Sequence, residues 1–373
     1  MKILLLGDYS NVHATLAEGL RNLGHDVTVA SDGDGWKNYP RDIDLSRSPK
    51  GLLADIKYLC KLLLIFRKFR SYDVVQLINP IFLPLKAERI WPFYRFLRRH
   101  NKSVFLGAYG MDYYWVKAGL SCKTFKYSDF NIGTSIRESQ ENSIWIRDWL
   151  NGPKGELNKF IAKDCDGIIA GLYEYHASYA PYFSDKMVFI PFPINADKYL
   201  YKIRTQSDKI VFFLGIQRAR NEYKGTDIMQ RALERVACKY PDKCQICKVE
   251  SVPFVEYLQL MRGSDVILDQ LYSYTPAMNA LEAMAQGLIV VGGGEPENYE
   301  ILGETELKPI INVQPNEESV FEELCNLVEH PEKVPLLSLT SRLYIKYHHD
   351  YLKVAHQYMD FWEQRIKMLE EHK

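Results

Sequence analysis

The first half of the chain alternates short apolar runs with amphipathic stretches. The run 2–7 (KILLLG) is typical of a strand that is buried on both faces of a parallel sheet. A stretch of helical periodicity follows and ends at Gly24, directly before a strand predicted at 26–31. Further strands are predicted at 73–78, 103–108, 166–171 and 187–195. The pattern indicates a parallel α/β domain.

The second half repeats this alternation. A strand at 209–216 (KIVFFLGI) precedes a helix at 224–240. Further strands are predicted at 244–251, 265–270, 288–294 and 310–314. We therefore predict an α/β fold of two Rossmann-like domains that face each other across a cleft. The predicted parts are a first domain at 1–200, a second domain at 201–350 and a C-terminal helix at 351–373 that packs back on the first domain.

Composition narrows the class of protein. The length of 373 residues agrees with two domains, and 47 basic residues balance 47 acidic ones, which argues against a nucleic-acid partner. The seven cysteines form no repeating pattern, so we expect reduced thiols. The opening residues run into a strand without a signal-peptide cleavage site. We therefore expect a cytoplasmic protein.

A helix start in the second half has the features of an anion site. Thr275 suits the N-cap of a helix at 276–286, and Gly287 suits its end. The amides of Ala277 and Met278 would then have no partner within the helix. Because this helix follows a buried strand, we expect its amides to face a ligand such as phosphate.

Glu282 places a carboxylate among small apolar side chains of the same helix. Burying a charge is costly unless something pairs with it. Glu282 lies four residues beyond Met278, on the same face and about 6 Å further along the axis. This offset suits a nucleotide whose diphosphate meets the amides and whose ribose hydroxyls donate to Glu282. The alternative is a structural bond from a neighbouring Lys, Arg or backbone amide.

The stretch 281–300 (LEAMAQGLIVVGGGEPENYE) resembles the C-terminal signature of family 4 glycosyltransferases of the GT-B fold. These enzymes transfer a sugar from a nucleotide-sugar donor. Members usually carry E-x7-E, and the resemblance implies that the second glutamate, here Glu282, binds the donor ribose. The first glutamate falls at Tyr274, so the sequence departs from the pattern beside the donor sugar.

Two cations are implied by a second segment. The stretch 211–233 (VFFLGIQRARNEYKGTDIMQRAL) resembles the strand–GR–loop–KG segment of the family. Lys224 matches the lysine, Arg218 is the better candidate for the arginine, and Arg220 is the fallback. The resemblance implies that these side chains neutralise the diphosphate, whose charge must be stabilised as the glycosidic bond breaks.

The stretch 103–115 (SVFLGAYGMDYYW) resembles the strand–HG-x-D motif of the family. Tyr109 stands where histidine is common, whereas Gly110 and Asp112 match. The resemblance implies that Tyr109 and Asp112 are catalytic residues, with Asp112 orienting or deprotonating the acceptor hydroxyl. Tyrosine is a poor base near neutral pH. In the alternative interpretation Asp112 caps the next turn.

Further candidates are contacts to the donor sugar or the acceptor. They follow predicted strands in both halves and comprise Gly7, Ser10, Asn11, His13, Tyr274, Gly293 and Glu295. The resemblance implies a retaining reaction. We predict no metal site, because the chain has no D-x-D-like motif in a suitable place and no tight cluster of His and Asp. We also predict no cofactor besides the nucleotide-sugar co-substrate. The absence of G-x-G-x-x-G argues against a nicotinamide dehydrogenase.

Two segments leave alternatives open. The stretch 123–155 looks like an insertion in the acceptor half, where Trp145 or Trp149 would stack on a sugar ring or anchor an extra helix. The stretch 52–70 is basic and amphipathic. It would lie on the inner face of a membrane or pack as an ordinary helix of the first domain.

These features predict a glycosyltransferase of the hexosyltransferase class that works without metal. The donor would be a UDP- or GDP-linked sugar, and the acceptor a glycan or a lipid-linked glycan in surface polysaccharide biosynthesis. One alternative is a nucleotide-sugar epimerase of the same fold. Another is a non-catalytic nucleotide-sugar binding subunit, because Tyr274 and Tyr109 replace the usual groups.

Overall fold

The computed structural model describes residues 1–47, 51–217, 221–250 and 252–371. The strands are β1 Lys2–Leu6, β2 Asp26–Ser31, β3 Ile43–Asp44, β4 Val74–Leu77, β5 Ser103–Ala108, β6 Asn131–Ile132, β7 Ser135–Ile136, β8 Gly167–Ala170, β9 Met187–Phe189, β10 Ile210–Ile216, β11 Cys244–Glu250, β12 Val266–Asp269, β13 Ile289–Gly292 and β14 Ile311–Asn312.

The helices are α1 Val12–Asn22, α2 Leu52–Phe66, α3 Ala87–His100, α4 Tyr113–Leu120, α5 Gln140–Leu150, α6 Pro153–Asp164, α7 Tyr173–Phe183, α8 Asn221–Lys224, α9 Thr226–Lys239, α10 Phe254–Arg262, α11 Met278–Ala285, α12 Pro296–Leu302, α13 Glu317–Glu329, α14 Val334–His348 and α15 Tyr351–Glu371. None of the helices in the described ranges has both the length and the hydrophobicity that crossing a membrane requires.

The chain folds into two compact units, and each is assembled from separate parts of the sequence. The first unit contains Met1–Lys117, Ile144–Pro193 and Tyr351–Lys373, and the second contains Ala118–Ser143 and Ile194–Asp350. The segment 118–143 therefore belongs to the second unit, whereas the predicted boundary places it in the first. Of the stretch 123–155, residues 123–143 lie in the second unit and residues 144–155 lie in the first. The stretch is therefore not a single insertion in the first unit.

In the first unit, parallel strands form a sheet in the order β3-β2-β1-β4-β5-β8-β9. Leu4 of β1 lies between Thr28 of β2 and Val75 of β4. Successive side chains of a strand point to opposite faces of its sheet. Ile3–Leu6 are all fully buried, so both faces of β1 are covered, as the unbroken apolar run predicts.

Helix α15 completes the first unit and confirms that the C-terminal helix packs back on it. It packs against α1, where a Cβ built on Gly19 would lie 2.5 Å from the carbonyl oxygen of Tyr351. The indole Nε1 of Trp362 donates to Oε1 of Gln76 at 3.3 Å, and both side chains are fully buried. This hydrogen bond ties α15 to the middle of the sheet.

In the second unit, parallel strands form a sheet in the order β11-β10-β12-β13-β14. The core combines side chains from the sheet with side chains from the helices that cover it, among them Phe212, Leu214, Met229, Leu233, Leu268, Val291 and Leu324. The helix predicted at 224–240 corresponds to α9 and begins only at Thr226, because Gly225, with a left-handed φ of 71°, separates α9 from α8. The loops that follow β10, β12 and β13 leave the same edge of this sheet, which is where α/β proteins bind ligands.

Candidate functional site

Lys224 is the last residue of α8. It lies at the edge of the second sheet from which the loops after β10, β12 and β13 leave. Its carbonyl oxygen accepts a hydrogen bond from Leu271 N at 3.0 Å, which ties α8 to the loop after β12. Burial raises the pKa of the Asp269 carboxyl, and the charge of Lys224 and a hydrogen bond from Asn279 act against this rise. Lys224 is therefore close enough to Asp269 to interact with its charge. Arg218 and Arg220 lie outside the described residues.

The helix that follows the β12 loop begins later than the sequence predicts. Ala277 occupies the N-cap position and α11 begins at Met278, so the predictions of Thr275 as N-cap and Pro276 as the first helical residue are wrong. The carbonyl of Thr275 instead accepts a hydrogen bond from Ser273 Oγ at 2.5 Å within the loop. The predicted end of the helix at Gly287 is confirmed, with a left-handed φ of 85°.

Glu282 lies in the second turn of α11 and is 5% exposed. Burial raises the pKa of Tyr257, and the negative charges of Asp269 and Glu282 raise it further. The Tyr257 hydroxyl donates to Oδ1 of Asn279 at 3.0 Å, and Nδ2 of Asn279 donates to Oδ1 of Asp269 at 3.2 Å. Polar contacts and charge interactions therefore connect Lys224 with Glu282, and the two predicted donor-binding side chains share one neighbourhood.

Tyr274 replaces the first glutamate of the family pattern, and it is buried. Its hydroxyl accepts a hydrogen bond from Lys126 N at 2.7 Å. The Tyr127 ring lies tilted against it at 5.0 Å between centroids, and the Phe125 ring contacts it edge-on at 5.7 Å. Burial raises the pKa of Tyr274 to about 12, so the hydroxyl is neutral near pH 7. This position therefore carries an aromatic contact to segment 118–143.

Glu295 is also engaged inside the second unit. Its Oε1 accepts hydrogen bonds at 2.8 Å from the side chains of Asn312, Tyr127 and Gln314. Burial raises the pKa of this carboxyl, but these hydrogen bonds and the charge of Lys126 outweigh it and bring the pKa below its usual value. Glu295 is thus an ionised group that anchors neighbouring chain segments.

Gly293, another predicted sugar contact, lies in the turn after β13. A Cβ built on it would lie 2.3 Å from the carbonyl oxygen of Ser273. The backbone of Gly293 therefore packs directly on the loop that precedes α11, which leaves no room for a side chain.

In the first unit, Asp112 follows β5 and caps α4. Its Oδ1 accepts a hydrogen bond from Trp115 N at 2.9 Å, and its Oδ2 accepts one from the Tyr179 hydroxyl at 2.7 Å. The side chain is fully buried, and burial raises its pKa to about 7. These contacts support the interpretation of Asp112 as a helix cap, and its catalytic role stays a prediction.

Tyr109 is buried beside the C-terminal helix. Its hydroxyl is hydrogen-bonded to the Tyr358 hydroxyl, and its ring contacts Phe192 edge-on at 5.4 Å. The His13 ring also contacts the Tyr109 ring edge-on, at 6.3 Å between centroids. The structure thus brings together two predicted site residues, Tyr109 and His13, within the first unit.

The loop after β1 contains a residue that the sequence reasoning missed, Asp8. Its carboxylate oxygens accept hydrogen bonds from His13 N at 2.9 Å and Ala14 N at 3.2 Å, so it caps α1. Burial raises its pKa to about 7. The sequence signal was present, because an aspartate directly follows Gly7 and precedes the helix by a few residues, but Ser10 and Asn11 lie nearer the helix start.

His13, Ser10 and Asn11 are placed differently from one another. His13 is fully buried, its Nδ1 is 2.7 Å from the Gly7 carbonyl oxygen, and burial lowers its pKa to about 3. Ser10 and Asn11 adopt left-handed φ values of 49° and 68°, and Ser10 Oγ accepts a hydrogen bond from Lys37 Nζ at 3.1 Å. The left-handed φ of Gly7, 82°, turns the chain out of β1.

Trp145 and Trp149 lie on α5. Trp149 is 3% exposed, and the ammonium of Lys154 lies 5.8 Å and 5.7 Å from the two ring centroids. These contacts support the interpretation in which the tryptophans anchor an extra helix.

Within the described ranges, no group of three or more His, Cys, Asp or Glu side chains is placed to hold a metal ion. No protein-family model and no curated protein sequence matches the chain.

Solved structures match the chain over nearly its whole length. Sucrose-phosphate synthase from Thermosynechococcus elongatus is 14% identical, with 98% of this chain and 99% of that chain covered and a TM-score of 0.63. Anabaena HepE in complex with UDP and glucose is 13% identical, with 98% and 100% covered and a TM-score of 0.60. UDP-GlcNAc 2-epimerase from Neisseria meningitidis, bound to UDP-GlcNAc, is 13% identical, with 98% and 100% covered and a TM-score of 0.54.

This likeness defines the class of fold. The chain has the two Rossmann-like α/β domains of GT-B glycosyltransferases, as the sequence predicts.

Proposed function

We propose that the protein is a glycosyltransferase, similar to family 4 enzymes, that transfers a hexose from a UDP- or GDP-linked donor without a metal ion. The observation that carries this proposal is the link through the β12–α11 loop: Leu271 N of this loop donates to the Lys224 carbonyl at 3.0 Å, and α11, which follows the loop, carries the buried Glu282. It joins the two residues whose positions match the donor-binding motifs, and it does so beside the start of a helix.

Each donor-binding group has a distinct role in the proposed reaction. Lys224 and the amides at the start of α11, at Ala277 and Met278, stabilise the charge of the nucleoside diphosphate as the glycosidic bond breaks. Arg218 adds a second cation. Glu282 accepts hydrogen bonds from the ribose hydroxyls. UDP is the first nucleotide to test, since the solved structures of HepE and of the 2-epimerase contain UDP or UDP-GlcNAc.

The test of this proposal is calorimetric binding of UDP, GDP, ADP and CMP to the wild type and to Glu282→Ala. We expect one nucleotide to bind and Glu282→Ala to weaken it by about tenfold or more, because hydrogen bonds to a charged group are lost. The matched control is Glu322→Ala, which removes an exposed glutamate from α13. Failure of every nucleotide to bind, or equal binding by Glu282→Ala and the wild type, would refute the donor site.

Epimerase activity is the second candidate function. Two observations favour it: a 2-epimerase has the same fold, and Tyr274 stands where a carboxylate is usual beside the donor sugar. Incubation of UDP-GlcNAc and of other UDP-sugars with the protein, followed by NMR, separates the candidates. Conversion of the sugar without an acceptor would support the epimerase. Release of UDP that requires an acceptor would support the transferase, and binding without any turnover would support a non-catalytic subunit.

Helix α2 supports a lipid-linked acceptor. Ile56, Leu63 and Leu64 of α2 are 52%, 60% and 63% exposed, Lys57 is exposed on the same helix, and Lys68 is exposed in the turn that follows it. Apolar side chains flanked by basic ones favour an anionic lipid surface. We expect the protein to sediment with vesicles that contain phosphatidylglycerol and not with vesicles of phosphatidylcholine alone. Leu63→Ser combined with Leu64→Ser should abolish sedimentation, and unchanged sedimentation would refute this contact.

A further inference from the structure

Residues 118–143, here called the strap, have a defined fold of their own within the second unit. The hairpin β6–β7 forms their centre, and Ser128 N donates to the Asn131 carbonyl at 2.9 Å. The Asn131 side chain is fully buried, and its Nδ2 donates to the carbonyls of Phe125 at 2.9 Å and Gly133 at 3.0 Å. Because its turns are closed by buried hydrogen bonds, the strap can hold other elements in place.

The strap contacts the loop between β12 and α11 through two tyrosines. Tyr274 accepts the hydrogen bond from Lys126 N that is described above. The guanidinium of Arg137 lies over the ring of Tyr272, with its central carbon 3.4 Å from the ring centroid. Stacking of a guanidinium on an aromatic face is favourable, and more so where water is excluded. Tyr272 is 6% exposed, so this contact is largely shielded.

The strap also contacts α8, the short helix that Lys224 ends. Nη2 of Arg137 donates to the carbonyl of Glu222 at 3.0 Å, while Nη1 donates to the carbonyl of Asp129 at 2.9 Å. The Tyr223 hydroxyl donates to Oδ2 of Asp129 at 2.6 Å. The strap is therefore hydrogen-bonded to α8 at two successive residues, Glu222 and Tyr223, which directly precede Lys224.

These contacts connect Arg137 to the residues that neighbour Lys224 on α8 and on the β12–α11 loop. Arg137 joins Glu222 of α8 to Tyr272 of the β12–α11 loop. The neighbour of Tyr272, Leu271, donates its N–H to the Lys224 carbonyl at 3.0 Å. We propose that Arg137 is a positioning residue that acts through α8 to hold Lys224 for the donor diphosphate. This inference rests on the proposed function.

The chemistry of the position suits arginine. The planar guanidinium has separate N–H groups that reach two carbonyls while its face stacks on a ring. A lysine at 137 would keep the charge but lose this geometry. Arg137→Lys therefore distinguishes two roles of this side chain. A positioning role needs the planar guanidinium with its separate N–H groups, whereas a role of positive charge alone does not.

The experiment is calorimetric binding of UDP and UMP, with GDP and GMP in parallel, to the wild type, Arg137→Ala, Arg137→Lys, Lys224→Ala and the double variant Arg137→Ala/Lys224→Ala. We expect Arg137→Ala to weaken UDP or GDP about tenfold, which corresponds to about 1.4 kcal/mol, and to leave the monophosphate nearly unchanged. Arg137→Lys should lose most of the same affinity. The double variant should bind as Lys224→Ala does, because Arg137 acts through Lys224.

Two further variants complete the design. Arg231→Ala removes an arginine from α9 that pairs with Asp227 and Glu317, and it should bind like the wild type. If Arg137→Ala does not fold, Tyr223→Phe takes its place in the comparison. This substitution removes only the hydroxyl that donates to Asp129 and so weakens the same contact between the strap and α8.

The outcomes separate this inference from the proposed function. If Lys224→Ala weakens the diphosphate but Arg137→Ala does not, or if the two substitutions add in the double variant, the positioning role is refuted and the donor site stands. Equal losses for the diphosphate and the monophosphate would also refute it. If Lys224→Ala has no effect, or no nucleotide binds the wild type, the assignment of Lys224 and this inference both fail.

Discussion

Asp8 and Asp112 follow the carboxyl ends of β1 and β5, and each caps the helix that comes next. Both side chains are buried, and burial raises both pKa values to about 7. The hydrogen bonds from backbone amides lower the pKa, but they do not outweigh the loss of hydration. The first unit therefore carries carboxyls that take up a proton far more readily than exposed ones.

We expect the stability of the first unit to depend on the protonation of Asp112. Its pKa is about 7 in the folded protein and 3.8 in its ordinary state, so between these values the folded protein binds a proton that the unfolded chain lacks. Stability from this group is therefore lost as pH rises, by about 1.4 kcal/mol for each pH unit in that range. Asp112→Asn keeps the size and removes the ionisation.

The measurement is urea unfolding of the wild type and Asp112→Asn from pH 4 to pH 8. The variant should gain stability relative to the wild type as pH rises, since other groups titrate equally in both proteins. Asp8→Asn is expected to behave in the same way. A difference between variant and wild type that does not change with pH would contradict the raised pKa.

Gly225 separates α8 from α9, and the break depends on its missing side chain. Its φ of 71° is left-handed, and a Cβ there would lie 2.7 Å from Leu271 Cβ and 2.9 Å from the Tyr272 ring. A left-handed φ alone costs a residue with a side chain about 1–2 kcal/mol. The steric contacts add to this cost, because the neighbouring loop is itself packed.

Gly225→Ala should therefore lower the free energy of unfolding by about 2–4 kcal/mol. Gly24→Ala is the matched control, because Gly24 has a similar φ of 86° but no heavy atom of the described residues within 4 Å of its built Cβ. We expect a loss of about 1–2 kcal/mol there. Equal losses in urea unfolding would show that the contacts with Leu271 and Tyr272 contribute nothing.

Each unit is completed by a part of the chain that is distant in sequence. The first unit needs α15 from the C-terminal end, and the second needs the strap from between two parts of the first. Trp362 of α15 is fully buried against the sheet, and its indole satisfies the buried Gln76 side chain. The last helix is thus part of the core of the first unit.

Trp362→Ala should destabilise the protein by about 3–5 kcal/mol, the usual cost of removing a large buried aromatic side chain. Hydrogen exchange should locate the loss in β1 and β4, which lie in the middle of the first sheet. Met368→Ala, on the same helix but 41% exposed, should change stability by less than about 0.5 kcal/mol. Unchanged exchange in β1 and β4 would mean that α15 is not part of this core.

The elements were predictable where one local signal dominates. The strand at 103–108 and the end of α11 at Gly287 have the predicted positions, since unbroken burial and a left-handed glycine leave a clear trace in the sequence. The start of α11 was not predictable, because Thr275 is a good N-cap by type. The loop instead uses the Thr275 carbonyl for a bond with Ser273, and the helix starts further on.

The positions of the candidate site residues were predictable from the sequence, but the side chains that contact them were not. The motifs locate Lys224 and Glu282, but Asp269, Asn279 and Tyr257, which connect them, come from different elements. Asp8 was missed because its bonds to the helix start depend on how the loop after β1 turns.

By itself the sequence determined the alternation of strands and helices and the two Rossmann-like α/β domains, because burial imposes a period on the chain that can be read locally. The resemblance of its motifs to family 4 glycosyltransferases implied the GT-B class of this architecture. The tertiary structure alone decided that the strap belongs to the second unit, that Tyr274 and Glu295 bind it, and that Arg137 reaches Glu222. These pairings join residues far apart in sequence. Their energies depend on distance and burial, which exist only once the sheets have formed.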